Sequence, residues 1–324
     1  MCTRVFWNNN GAALGAGRTL DWPEACDPIL TIFPRGRAHH GALATGRVVV
    51  PEIPLRWTSK YGNLIVTIYG AGTVDGVNEH GLAAHMLHLD DADFGPRDPD
   101  KPGLQAALWA QYLLDQATNV TEALALLDAI QIVQFDIHGY ASTVHLALSD
   151  ASGDSAVIEY VDGGTKKVYH GAEYNVLANA PTYDEQLALV SAIDVAHPSA
   201  SVSLPGNITS AERFQRATYF MSTLPEPKSD QDSLAGVLSV LRNVSVPFGA
   251  PYDEFGIYDT QYRTMVDLTN MRYFFEYASL PNVVWMDVGQ LDFSEGSGVR
   301  ALDPYDFSLT GDVTDRFAPA AAPF

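Results

Sequence analysis

Cysteine is nearly absent: the 324 residues carry only Cys2 and Cys26. Two thiols cannot build the disulfide framework of a small secreted domain, and a reducing compartment suits them. Basic residues are also scarce, with 19 Lys and Arg against 39 Asp and Glu and a net charge of −20. Such a surface repels phosphate backbones and anionic lipid, so neither nucleic acid nor a membrane is an expected partner. No uncharged apolar run reaches the roughly 18 residues that a spanning helix needs. The opening MCTRVFWNNNGAALGAGRTLDW holds no basic stretch followed by an apolar one. The expected location is therefore cytoplasmic, and the glycosylation-type triplets at Asn119, Asn207 and Asn243 carry no weight.

What is present is ample apolar material, 47% of residues, enough for a large buried core. Thr3 to Trp7, the turn residues Asn8-Asn9-Asn10-Gly11 and the run into Arg18-Thr19-Leu20-Asp21-Trp22 read as strand, turn, strand. Further strands are expected at 63–69 and 82–89. Helical spacing follows at 104–116 and 120–130. Short β-rich segments at 142–149, 155–160, 166–169 and 174–177 are split by Asp-Gly, Gly-Gly and Ser-Gly turns. Helices are expected at 184–193, 210–221 and 232–241, then strands at 262–267, 271–277 and 283–286. Strands that come as hairpins favour an α+β architecture with antiparallel sheets over a doubly wound parallel one. No internal repeat or linker marks a domain boundary, and the tail after Phe317 is expected to be loosely held.

Cys2 stands where loss of Met1 would free its α-amine. An α-amine titrates at about 7.7 to 8.0 and a thiol at about 8.5, so one residue can supply both nucleophile and general base. Arg18 and Asp21 sit across the expected hairpin. On a bent strand both can be aimed at the N-terminal group, Arg18 lowering the thiol pKa and Asp21 orienting the amine. A rival metal site would draw on His80, His85, His88, Asp90 and Asp91. In a strand over 82–89, however, His85 and His88 point to opposite faces, and no HExxH is present, so no metal and no cofactor is expected.

MCTR at 1–4, GRTLDW at 17–22, GVNEHGLAA at 76–84, SAVIEYVDG at 155–163, LANAPTYDEQL at 177–187 and SAERFQRA at 210–217 together resemble the choloylglycine hydrolase family. That family holds penicillin V acylases and conjugated bile acid hydrolases. The resemblance implies a single domain over 2–324, an N-terminal-nucleophile hydrolase fold with two antiparallel sheets between helical layers, and hydrolysis of a linear amide. It implies that Cys2 is the nucleophile, that Arg18 and Asp21 support it, that Asn179 stabilises the oxyanion and that Arg213 completes the site. Bile acid hydrolases usually place an asparagine where this chain has His88, whose backbone N–H can still serve the oxyanion hole. WTSKYG at 57–62 and HLALSDASGDSAVIEY at 145–160 look more like the Gram-negative penicillin V acylase branch, some members of which cleave acyl-homoserine lactones. Trp22, Trp57, Tyr61 and Met86 are the candidates for lining an acyl pocket, so an aromatic or medium-chain acyl group is expected to fit better than a steroid. Family members are commonly homotetramers, with 182–206 the candidate intersubunit segment. The alternatives are a conjugated bile acid hydrolase and a non-catalytic binding protein on the same fold.

Overall fold

The structure, a computed structural model, describes residues 1–324 except Thr45, His138, residues 253–255 and Pro281. A seven-stranded sheet runs in the order Val176–Leu177, Cys2–Trp7, Gly15–Asp21, Thr260–Asp267, Arg272–Tyr277, Val283–Asp287, Gly311–Asp312. A nine-stranded sheet runs Thr165–His170, Ser155–Val161, Val144–Ser149, Ala83–His88, Gly72–Asn78, Asn63–Ile68, Ile29–Phe33, Arg300–Leu302, Ala318–Pro319. Neighbours in both are antiparallel, apart from the parallel pair Val283–Asp287 and Gly311–Asp312. The expected hairpin pairs Cys2 with Leu20 through to Trp7 with Gly15.

Strand alternation builds the layers. Leu64 and Val66 join Cys2, Phe6 and Leu20 in a core between the sheets. Ile65, on the opposite face, packs with Trp109 and Leu113 of helix α1 (Trp109–Gln116) and with Val120 and Ala123 of α2 (Val120–Leu126). On the far side of the seven-stranded sheet lie α3 (Tyr183–Val190), α4 (Ser210–Ser222) and α5 (Asp230–Asn243), with α4 and α5 against the N-terminal hairpin. Approach there is close: a Cβ at Gly17 would stand 2.7 Å from Leu241 of α5, so glycine is required. The order helix, sheet, sheet, helix is the α+β sandwich that the sequence implies.

Four stretches depart from the sequence reading. The strands at 63–69 and 82–89 are expected as neighbours joined by turns, yet Gly72–Asn78 is a strand that pairs with both and separates them. The apolar periodicity at 104–116 is continuous, yet Gly103–Gln105 is a strand, parallel to Gln131–Val133. Gln105 Oε1 accepts from Ala107 N at 2.8 Å, which ends the strand and starts the turn leading to α1. Ile29–Phe33, unread from the sequence, is a strand between Asn63–Ile68 and Arg300–Leu302. The segment after Phe317 adds the edge strand Ala318–Pro319, and the Phe324 ring meets Phe33 edge-on at 5.5 Å. Segment 182–206 begins with α3 and is mostly exposed beyond residue 190. Among the described residues no helix is long and apolar enough to cross a membrane.

Candidate active site

Cys2 opens the first strand and is 4% exposed. The pleat turns Arg4 towards the nine-stranded sheet, where its Nη2 donates to Leu148 O at 3.1 Å, and turns Thr3 towards α4. In the paired strand Arg18 and Asp21 are three residues apart, hence on opposite faces. Arg18 reaches across the gap between the sheets. Its Nη1 donates to Met86 O at 2.7 Å and to Val74 O at 3.0 Å, its Nε donates to Thr19 O at 3.1 Å, and its Nη2 donates to Cys2 Sγ. Burial alone would lower the Arg18 pKa, but attraction to Cys2, Tyr262, Asp75 and Asp21 takes it above the ordinary guanidinium value.

Asp21 faces the helices instead. Its Oδ2 accepts from Arg213 Nη1 at 3.1 Å and from Thr19 Oγ1 at 3.2 Å, and its Oδ1 accepts from Thr260 Oγ1 at 2.5 Å. The carboxylate does not touch the Cys2 nitrogen. Its backbone pairs with Met1: Met1 N donates to Asp21 O, and Asp21 N donates to Met1 O. Burial lowers the Met1 ammonium from 8.0 to about 5, so an amine enclosed here is neutral at pH 7.

The acceptor for Cys2 N is Asn179 Oδ1. Asn179 follows the short strand Val176–Leu177 in a segment clamped by Gln186 of α3, whose Oε1 accepts from Ala178 N at 2.9 Å and whose Nε2 donates to Asn179 O at 2.6 Å. Ser210 Oγ accepts from Asn179 N at 2.8 Å. Arg213, fully buried on α4, donates from Nη1 to Cys2 O at 2.8 Å and from Nη2 to Asn179 Oδ1 at 3.3 Å. Two donors therefore fix the amide oxygen towards Cys2 and leave Nδ2 facing His88 O, 2.6 Å away.

His88 ends the strand Ala83–His88. Leu89 N donates to Thr143 O, so the antiparallel alternation turns the N–H and C=O of His88 away from that neighbour. On that other side, pairing with Gly72–Asn78 stops at His85. The imidazole takes no place beside the thiol: its Nε2 lies 2.7 Å from Asp90 Oδ1, and its ring meets Trp22 at 5.7 Å.

Cys2 and Arg18 open onto an apolar cavity with Trp22, Met86, His88 and Phe135 among its walls. Trp57 and Tyr61, expected to line an acyl pocket, do not. Trp57 stacks on His39 at 5.0 Å and donates from Nε1 to Asp115 Oδ2 at 2.7 Å, and Tyr61 packs against His80 at 4.6 Å. The indole is committed to a buried carboxylate. Residues the sequence reading missed are Phe135, Ala107 and Val144 on the cavity wall and Asp75, which stands 4.0 Å from Arg18. A lone acid in the buried strand Gly72–Asn78 was the legible signal for Asp75.

Burial raises the Asp115 carboxyl from 3.8 to about 7, against donors Trp57, Asn63, Gln111 and Ser59. The folded state then holds the proton more tightly than the unfolded chain, so this group's contribution to stability is present below about pH 4 and is lost as pH rises through about 7. Asp115→Asn removes that dependence. Thermal melts are expected to show the Tm difference, variant minus wild type, rising by a few degrees between pH 4.5 and pH 8; a difference that is flat or falling contradicts the shift.

The family described as linear amide C–N hydrolases, choloylglycine hydrolase family, matches residues 2–301. A penicillin V acylase of Pectobacterium atrosepticum is 35% identical over 331 residues, spanning 94% of this chain and 85% of that protein. The structure of a penicillin V acylase from Agrobacterium tumefaciens superposes with a TM-score of 0.86 at 37% identity, covering 99% of this chain and 98% of the other. A conjugated bile acid hydrolase from Clostridium perfringens, at 20% identity, shares the fold with a TM-score of 0.79 over 95% of this chain and 98% of its own. The chain therefore belongs to the choloylglycine hydrolase family, and it is a hydrolase of linear amide C–N bonds.

Proposed function

We propose that this enzyme cleaves small acyl amides of the penicillin V type, with Cys2 as nucleophile and its own α-amine as base once the preceding residue is lost. The observation that carries this reading is the division of labour around one residue: Arg18 on the Cys2 sulfur and Asn179 on the Cys2 nitrogen, with Cys2 and Arg18 on the wall of one apolar cavity. The amine takes the thiol proton as sulfur attacks the carbonyl carbon. It then gives that proton to the leaving amine as the C–N bond breaks, leaving a thioester. Water attacks the thioester with the amine again as base, the acid departs and the thiol is restored. The second Nδ2 proton of Asn179 and the His88 N–H serve the oxyanion, while Arg18 favours the thiolate. Arg213 ties Asn179, Asp21 and the Cys2 carbonyl together, fixing where nucleophile and donors stand. In the cytoplasm Cys2 and Cys26 would stay reduced.

The cavity walls support a substrate class. Trp22, Met86 and Phe135 suit a phenoxyacetyl group or the chain of a long acyl-homoserine lactone. The similarity to two penicillin V acylases supports the same choice. Under one set of conditions, kcat/KM for penicillin V or a long-chain acyl-homoserine lactone is expected to exceed that for glycocholate by at least about tenfold. A clear preference for glycocholate overturns this order and makes the enzyme a conjugated bile acid hydrolase.

A further inference from the structure

Asp75 belongs to the nine-stranded sheet, yet its partners lie mainly on the other one. Its Oδ2 accepts from Thr264 Oγ1 at 2.5 Å and its Oδ1 from Tyr273 OH at 2.6 Å, both from the seven-stranded sheet. Its Oδ2 also stands 4.0 Å from Arg18 Nε, with both side chains fully buried. The fourth neighbour, His85 Nε2, is 3.9 Å from Oδ1. Burial, then Arg4 and Arg18, hold that imidazole far below its usual pKa, so it brings no charge. Arg18 itself is surrounded by Cys2, Tyr262, Asp75 and Asp21, and the Asp21 carboxylate is already engaged by Arg213 and Thr260. Tyr262 and Tyr273 are pushed well above their ordinary values by burial and stay neutral.

Asp75 is thus the acid left to balance Arg18. We propose that Asp75, held between Arg18 and the Thr264 and Tyr273 hydroxyls, is a positioning residue that sets how strongly Arg18 acts on Cys2. This rests on the reading of Cys2 as nucleophile. The guanidinium is aimed by three backbone carbonyls, from Thr19, Val74 and Met86, which no Asp75 substitution removes. What a neutral residue at 75 changes is the field. Arg18 becomes the stronger cation beside the thiol and the amine, both titrate lower, and the lower-pKa pair is the weaker base and nucleophile. Burial lifts the Asp75 carboxyl to about 6, which leaves it ionised in the neutral range where the balance is needed.

The test uses the full chain with a Cys2 N-terminus verified by mass. Two profiles are measured against pH: kcat/KM for penicillin V, and the rate of Cys2 alkylation by iodoacetamide, followed by the mass of the N-terminal peptide. Asp75→Asn is expected to move the acid limb of both profiles to lower pH by about half a unit to one unit and to lower kcat by about 2-fold to 10-fold, with KM changing far less. Tyr273→Phe removes one donor from Asp75, favours its protonated form, and is expected to move the alkylation limb the same way by a smaller amount. It also stands in if Asp75→Asn does not fold. A limb that is unmoved, or moved to higher pH, in a variant with wild-type thermal stability overturns the proposal and leaves Asp75 a structural link between the sheets. Cys2→Ala separates the two readings: if it stays active, the nucleophile assignment fails, whereas an inert Cys2→Ala with an unmoved Asp75→Asn profile rejects the role of Asp75 alone.

Discussion

Cys2→Ala is expected to lower kcat/KM for an acyl amide by at least about 10⁴-fold, the scale seen when a covalent nucleophile is removed and only binding and oxyanion donors remain. Cys26→Ala is the matching control. Burial pushes the Cys26 thiol up to about 12, so it is a poor nucleophile at neutral pH, and its variant is expected to keep most of the activity. The N-terminus supplies a second arm. With Met1 attached, the Cys2 nitrogen is an amide that cannot accept a proton, and Met1 N and O are paired with Asp21 in the interior. A preparation retaining Met1 is therefore expected to be as inactive as Cys2→Ala, with mass spectrometry establishing the fraction processed. Full activity from a chain that retains Met1 removes the amine from the mechanism, and activity in Cys2→Ala removes the thiol.

The hairpin that delivers these groups was legible because its signals are local: turn residues at 8–11 between two apolar runs. The three-residue spacing of Arg18 and Asp21 was legible as a motif, but its meaning was not. It reads as two charges converging on one group, whereas the pleat sends Arg18 to the sulfur side and Asp21 to Arg213 and Thr260. The acceptor at the Cys2 nitrogen comes from 177 positions away and depends on the Gln186 clamp, for which periodicity offers no cue. Trp57 and Tyr61 show the opposite failure. Aromatic residues near a recognised motif suggest a pocket wall, but composition cannot tell a ring facing a cavity from one satisfying a buried carboxylate, as Trp57 does for Asp115. The wall residues Phe135 and Val144 come from segments that the topology folds over Met86 and His88, a placement decided by sheet order.

Asn179 is the residue at which holding and catalysis are separable. Asn179→Ala removes both the acceptor for Cys2 N and the Nδ2 donor, and is expected to lower kcat by about 10²-fold to 10³-fold with a smaller change in KM. Asn179→Asp keeps an oxygen towards Cys2 N and Arg213 Nη2, where the buried guanidinium compensates its charge. Towards His88 O, and towards a developing oxyanion, it replaces a donor with a second acceptor. The aspartate variant is therefore expected to lose at least as much kcat as the alanine variant, because an anion beside an oxyanion is worse than a gap. The alkylation rate of Cys2 should rank them the other way: near wild type for Asn179→Asp, where the nitrogen is still held, and lower for Asn179→Ala. Melting curves identify any variant that fails for want of folding. If Asn179→Asp retains wild-type kcat, the side chain acts on the amine alone and the oxyanion must be met elsewhere, with the His88 N–H as the remaining donor.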